Sequence, residues 1–220
     1  MRKFNGLCAV IVTFTIAIFV ITLGQNVVAR TSGFYSYYFN DANNVVNVTS
    51  EVSSEEVAEK IAKYMNSWSD EPFQISEYTG YDYQGIFTDD ESYNMMMAQR
   101  LLRKSMVICI VSFVISFSIM LYFILKRYRV MARVVTAIAS AFTVIGMVAQ
   151  YYLITSPAGR QWISDRYGFF DLNEDCNLLA LIGNGYYQIA ASFFILITAV
   201  AIGGIFYICY RTTRPDRLFS

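Results

Sequence analysis

The chain is 220 residues long, 55% hydrophobic and only 15% charged, with acidic and basic residues in balance and no histidine at all. Soluble domains carry about 25% charged residues, so the composition excludes an ordinary soluble enzyme. Zero net charge without a basic stripe excludes a nucleic-acid partner, and the missing histidine removes the commonest general base and metal ligand.

Four apolar stretches, 7–29, 105–125, 130–154 and 186–210, each reach the roughly 20 residues needed to cross a hydrocarbon core of about 30 Å. They predict an all-α membrane protein of four transmembrane helices with a small helical extracytoplasmic cap. The first stretch exceeds the roughly 7–15 apolar residues of a cleaved signal and reads as an uncleaved anchor. Arg2/Lys3, Lys126/Arg127/Arg129/Arg133 and Arg211/Arg214/Arg217 flank the spans. By the positive-inside rule they place both termini in the cytoplasm and the loops 30–104 and 155–185 outside.

Loop 30–104 opens on the aromatic run Phe34 to Phe39, whose Tyr37 and Tyr38 read as part of an interfacial belt. Ser53 and Glu56 form a capping box ahead of an amphipathic helix, 54–68, with an apolar stripe from Val57 to Trp68. A turn-rich stretch leads to a second capping box, Thr88 with Glu91. No Pro or Gly interrupts the chain from there to Leu125, so the second membrane helix is expected to start near Asp89, outside the membrane. Its first turns would carry Tyr93, Asn94, Met97 and Arg100 at headgroup depth, and Arg103 and Lys104 could meet lipid phosphates.

In loop 155–185, Pro157–Tyr167 reads as one short helix. Asp171, Glu174 and Asp175 read as solvated acids rather than a metal site, and no cofactor motif is present. Cys8, Cys109, Cys176 and Cys209 imply no disulfide framework. Ala137xxxAla141 and Ala199xxxGly203 are spacings suited to close helix packing, and the hydroxyl and amide residues of the spans are expected to bond between helices. No acidic or basic residue lies deep in a span, which argues against a pump or a proton-coupled transporter.

Several short motifs in order resemble a bacterial family of four-helix membrane proteins, that of the lipoprotein intramolecular transacylase. They are the Ser-x-Glu-Glu helix ending in Tyr64-Met65-Asn66, then Phe87-Thr88-x-x-Glu91 before the second span, Phe169-Phe170-Asp171, and Asp175 with Leu178-Leu179 before the last span. The resemblance implies an acyltransferase fold acting on a lipoprotein's N-terminal cysteine. The family carries a histidine where this chain has Asn94, an acidic residue where it has Met97, and a second histidine in the neighbourhood of Ala158-Gly159-Arg160.

The expected function is therefore binding of membrane lipid or bacterial lipoprotein at the outer leaflet, with weak or no acyl transfer, in a multi-pass protein of the bacterial cell membrane. Tyr37, Tyr38, Met97, Arg100 and Arg103 are the lipid-binding candidates. Tyr93, Asn94, Asp171, Asp175 and Cys176 are the candidates for any catalytic role. The alternative is a membrane scaffold whose outer portion binds another protein, a membrane protein partner among the candidates. Trp68, Phe87, Trp162, Phe169 and Phe170 are expected to hold that portion together.

Overall fold

A computed structural model describes residues 2–42, 45, 48–49, 52–78, 80–167, 176–183 and 185–213. The helices in chain order are α1 (Arg2–Arg30), α2 (Ser32–Ala42), α3 (Ser54–Asn66), α4 (Asp89–Leu125), α5 (Arg129–Thr155), α6 (Pro157–Tyr167), α7 (Asn177–Ile182) and α8 (Tyr186–Thr212). Between α3 and α4 lies a two-stranded antiparallel hairpin, β1 (Ser76–Tyr78) and β2 (Tyr83–Gly85), with Glu77 opposite Gln84. The helices α1, α4, α5 and α8 are long and apolar enough to cross a membrane, and the fold is that of an all-α membrane protein. At 1.5 Å per residue α4 is about 55 Å long, well beyond a hydrocarbon core, so one unbroken helix carries both a membrane segment and a polar N-terminal half.

The chain divides into two compact units. The first is Met1–Gln25, Ser105–Gln150 and Phe194–Ser220; the second is Asn26–Lys104 and Tyr151–Phe193.

The core of the first unit is a seam. Cys8, Val12, Ile16 and Val20 follow one another at one-turn spacing along α1 and meet Phe123 of α4, Ala132, Val135 and Ala139 of α5, and Cys209 of α8. The opposite faces are apolar and bare: Leu7, Phe14, Val111, Phe117, Val148 and Val200 are all exposed, as side chains facing lipid must be. The expected close-packing pairs are not the ones used. Ala137, Ala141, Ala199 and Gly203 are exposed. Close approach instead occurs at Gly24, where a Cβ would lie 2.3 Å from Thr198 Oγ1, and at Gly146, where it would lie 2.3 Å from Ile21 Cδ1. Small residues help packing only on the face turned to a neighbour, and spacing alone does not identify that face.

Among the described residues, the span hydroxyls bond mainly within their own helix; Thr136, which also donates to Cys209 Sγ at 3.4 Å, is an exception. Thr13, Thr22, Thr136, Ser140 and Thr143 each donate to a carbonyl four residues earlier in their own helix, at 2.7–2.9 Å. In an apolar surrounding the nearest acceptor is the helix's own backbone. Bonds that do cross between helices include Ser105 Oγ to Gln25 Oε1 at 3.1 Å and Tyr122 Oη to Asn5 Oδ1 at 3.2 Å. Arg133 closes the C-terminal turn of α8, donating to Thr213 Oγ1 at 2.8 Å and its carbonyl at 2.6 Å, with its guanidinium 5.2 Å from the Tyr210 ring.

The second unit is largely helical, in keeping with the two capping boxes. Its hairpin falls in the stretch read only as turn-rich. Its aromatic run is a helix: in α2, Phe34, Tyr35, Tyr38 and Phe39 are buried while Tyr37 and Asn40 are exposed, an apolar stripe of helical period. The buried stripe of α3 is Val57, Ala58, Ile61, Ala62 and Met65. Ser53 Oγ accepts from Glu56 N–H at 3.2 Å, the N-cap bond of the first capping box. That helix stops at Asn66, so Trp68 lies beyond the packed stripe and is 67% exposed; Trp162 is exposed as well. Neither tryptophan holds this unit together. Phe73, Ile75 and Phe87 do, all under 6% exposed. Phe169 and Phe170 lie outside the described residues.

Candidate functional site

The second capping box does more than start a helix. Glu91 Oε2 accepts from Thr88 N–H at 2.7 Å and Thr88 Oγ1–H at 2.9 Å, while Glu91 Oε1 accepts from Leu178 N–H at 2.7 Å. One carboxylate, 1% exposed, thus satisfies orphan donors at the start of both α4 and α7. Cys176 caps α7 from the other side, its Sγ accepting from Leu179 N–H at 3.4 Å. Asn177 Nδ2 donates to the Ile86 carbonyl at 2.8 Å. Burial, with the Glu91 carboxylate close by, pushes the Cys176 thiol up from its ordinary range, away from the thiolate a nucleophile needs.

An aromatic cluster adjoins α7. Tyr38 Oη donates to the Ile182 carbonyl, and its ring lies 5.4 Å edge-on from Tyr186. Tyr35 Oη donates to the Ala29 carbonyl at 2.9 Å. Burial pushes the Tyr35 hydroxyl up to about 12, tempered by a hydrogen bond with Tyr186 and by Arg30. Tyr38, expected at the lipid interface, is 1% exposed and is a core residue; Tyr37 is 56% exposed and rests on Phe193 with ring centroids 5.5 Å apart.

The C-terminal end of α3 is held by donors from two other helices. Arg30 Nη1 donates to the Met65 carbonyl at 2.7 Å and Gln99 Nε2 to the Tyr64 carbonyl at 2.6 Å. Arg103 bonds Asp70 Oδ1 at 2.8 Å, Gln99 Oε1 at 2.7 Å, the Ser67 carbonyl at 3.3 Å and the Ser69 carbonyl. Cations at a helix C-terminus meet its unpaired carbonyls and the negative end of its dipole. Two buried donor atoms here, Arg30 Nη2 and Tyr64 Oη, have no partner among the described residues. Burial raises the Tyr64 hydroxyl above its ordinary value, and Arg103 and Arg100 oppose that.

Of the residues expected to form a site, Arg100 and Arg103 come together on Asp70, at 3.8 and 2.8 Å. Tyr93 is exposed, Asn94 is buried with its amide donating to the Asp90 carbonyl at 3.0 Å, and Met97 is half-buried. Asp171 and Asp175 lie outside the described residues. Where the resemblance puts a second histidine, Gly159 packs so tightly that a Cβ would lie 2.6 Å from Leu153 backbone atoms. Arg160 donates to the Ile154 and Thr155 carbonyls at 3.2 and 2.9 Å and covers Tyr187 at 4.9 Å. No cluster of three or more potential metal-ligating side chains occurs among the described residues.

Sequence reasoning saw Glu91 only as a cap and missed Arg30, Gln99, Tyr35 and Asn177. Gln99 and Arg103 one turn apart beside the apolar span were a usable signal. For Glu91 none existed, because its second partner is 87 residues away.

No family model matches the chain, and none of the curated proteins does. Among solved structures it is similar to the membrane integral lipoprotein intramolecular transacylase Lit from Bacillus cereus, with a TM-score of 0.71 and 12% identity over 100% of both chains. Structures of two variants of that protein, with a histidine replaced by arginine or alanine, match at TM-scores of 0.74 and 0.71. The arginine variant is 12% identical over 96% of this chain and 92% of its own, the alanine variant 13% over 97% and 93%. The resemblance read from short motifs is therefore one of fold from end to end.

Proposed function

We propose that the protein binds lipid or a lipoprotein N-terminus at the outer leaflet of a bacterial cell membrane, with both termini cytoplasmic and with little or no acyl transfer. The observation that carries this is a transacylase fold in which the expected positions for proton-transfer groups serve structure instead. Asn94 is bonded to Asp90, Gly159 leaves no room for a side chain, and Arg160 is bonded to the end of α5. Moving an ester-linked acyl group to an amine needs a proton taken and a proton given, steps worth about 10²–10⁴-fold each when a group is positioned for them. The Glu91 oxygens are engaged by three structural donors and the Cys176 thiol is pushed up, away from thiolate, so Glu91 is committed to holding two helices and Cys176 stays a thiol. The unpartnered Arg30 Nη2 and Tyr64 Oη beside Arg103 support recognition of an anionic headgroup, since buried donors ordinarily have partners.

The test is expression in cells that make only diacylated lipoproteins, followed by mass spectrometry of lipoprotein N-termini. Unchanged diacyl forms are expected, and abundant lyso-form product would overturn the reading. Labelling of a cysteine introduced at Asp70 from outside intact cells checks the orientation.

A second reading, docking of a membrane protein partner, draws on the hairpin. Tyr81 is 99% exposed, Tyr83 and Tyr78 are exposed beside it, and Trp68 is bare. Loss of a crosslinked partner in Tyr81→Ser/Tyr83→Thr, with lipid binding intact, would favour it.

A further inference from the structure

The turn between α4 and α5 breaks a local rule. Arg127 N–H donates to the Ile124 carbonyl at 3.0 Å and Tyr128 N–H to the Phe123 carbonyl at 2.8 Å. These are the two bonds of a Schellman motif, whose left-handed position usually holds glycine. Here Arg127 occupies it at φ 58°, a conformation costly for any residue with a Cβ. Ending the helix does not require arginine, so the reason lies in its side chain. That side chain has no hydrogen bond or ion pair with any described residue.

Arg127 stands at one end of a groove of about 900 Å³ between α1 and α5. Val10, Phe14, Met131 and Ile138 are among its walls, and Arg129 joins Arg127 at the basic end. The hydroxyl of α1 in the walls, Thr13, is bonded back to the Ala9 carbonyl at 2.8 Å, so beyond the basic end, where Tyr128 also lies, the walls are apolar. From Arg129 to Phe142, the last lining residue on α5, the helix runs about 20 Å, enough to cross one leaflet of about 15 Å. Charge is equally one-sided: the stretches of the first unit contain nine Lys and Arg and one acid, Asp216, so an anion is the ligand this unit favours.

We infer that this groove holds an acyl chain of an anionic phospholipid, with the lipid phosphate against Arg127 and Arg129. Basic recesses between membrane helices suit such headgroups, and the apolar length below fixes the ligand as a lipid rather than a free anion. The left-handed arginine is then a strained backbone position retained for a binding role.

The experiment is native mass spectrometry of the full chain, reconstituted with phosphatidylglycerol and phosphatidylcholine of identical acyl chains and transferred to detergent. Phosphatidylglycerol should be retained at least about fivefold over phosphatidylcholine, with retention falling as salt rises. Arg127→Gly removes the charge and relieves the backbone, so its thermal midpoint should hold or rise while phosphatidylglycerol retention drops about fivefold. Val134→Trp, which fills the groove from a wall residue, should reduce retention with the arginines in place. Equal retention of the two lipids, or wild-type retention by Arg127→Gly, would overturn the inference. Wild-type retention by a folded Val134→Trp would overturn the place of the acyl chain.

Discussion

In the first unit, most hydroxyls of the spans answer to their own helix, as Thr143 does to Ala139 and Thr13 to Ala9, and only a few polar bonds cross between helices. In the second they answer to backbone groups far along the chain: Glu91 to Leu178, Arg30 to Met65, Gln99 to Tyr64, Asn177 to Ile86. The difference follows from the surroundings. A helix in lipid satisfies its backbone internally and holds its neighbours by shape. A unit built of short helices and a hairpin has many orphan backbone groups, and side chains from elsewhere must meet them. One unit is therefore sensitive to added volume, the other to the loss of single polar atoms.

The largest expected effect is at Glu91. Glu91→Ala removes the acceptor for three donors, two at the start of α4 and one at the start of α7, and should cost about 3 kcal/mol. Thermal unfolding in detergent would show the loss, and hydrogen exchange should rise at 176–182 while amides of the membrane helices stay protected. Glu91→Gln should cost less, since it keeps the shape and one acceptor oxygen. A variant Glu91→Ala as stable as the parent would remove the two-helix role assigned to this carboxylate.

The same contrast explains what could be read from the sequence. The membrane helices were legible because lipid imposes a composition rule on every residue of a span. The start of α4 at Asp89 was legible because a capping box is local. The face each helix turns inward was not. Ala137 and Gly203 carry the spacing of packing residues yet are exposed, while Gly24 and Gly146 make the close approaches. In the second unit α2 was hidden because its aromatic residues also fit an interfacial belt, and the stripe of Phe34, Tyr35, Tyr38 and Phe39 decides only once helical geometry is assumed. The Arg103 network needed partners at Ser67, Ser69 and Asp70, more than thirty residues away, and no local pattern announces such a meeting.

A medium effect should separate two glycines of the first unit. Gly24→Ala drives a methyl to 2.3 Å from Thr198 Oγ1 and 3.1 Å from the Phe194 ring, and overpacking of this kind costs about 1–3 kcal/mol. Gly203→Ala meets nothing within 4 Å and gains helix propensity, so it should be neutral or stabilising by up to about 1 kcal/mol. Measured side by side, the two variants test whether shape governs this unit. Equal destabilisation would mean that backbone freedom matters there rather than packing.

The smallest effect near neutrality, and the most selective, is alkaline loosening of the second unit. The buried Tyr35 hydroxyl is pushed up to about 12 and the Cys176 thiol is pushed up as well. Below about pH 8, before the unfolded thiol and phenol ionise, both groups are protonated whether folded or not, and their contribution is fully present. As pH rises the unfolded chain releases these protons first, so stability falls, beginning with Cys176 and continuing through Tyr35 between about pH 10 and 12. Tyr35→Phe gives up the bond to the Ala29 carbonyl and should lose about 1 kcal/mol at pH 7, yet its stability should decline less steeply above pH 10. Cys176→Ser should shift the onset without changing the later slope. Hydrogen exchange at pH 7 and pH 10.5, corrected for intrinsic rates, locates the change: protection should fall in α2 and α7 and hold along the Cys8–Val20 seam of α1. An alkaline slope in Tyr35→Phe as steep as in the parent would show that this buried phenol does not set the limit.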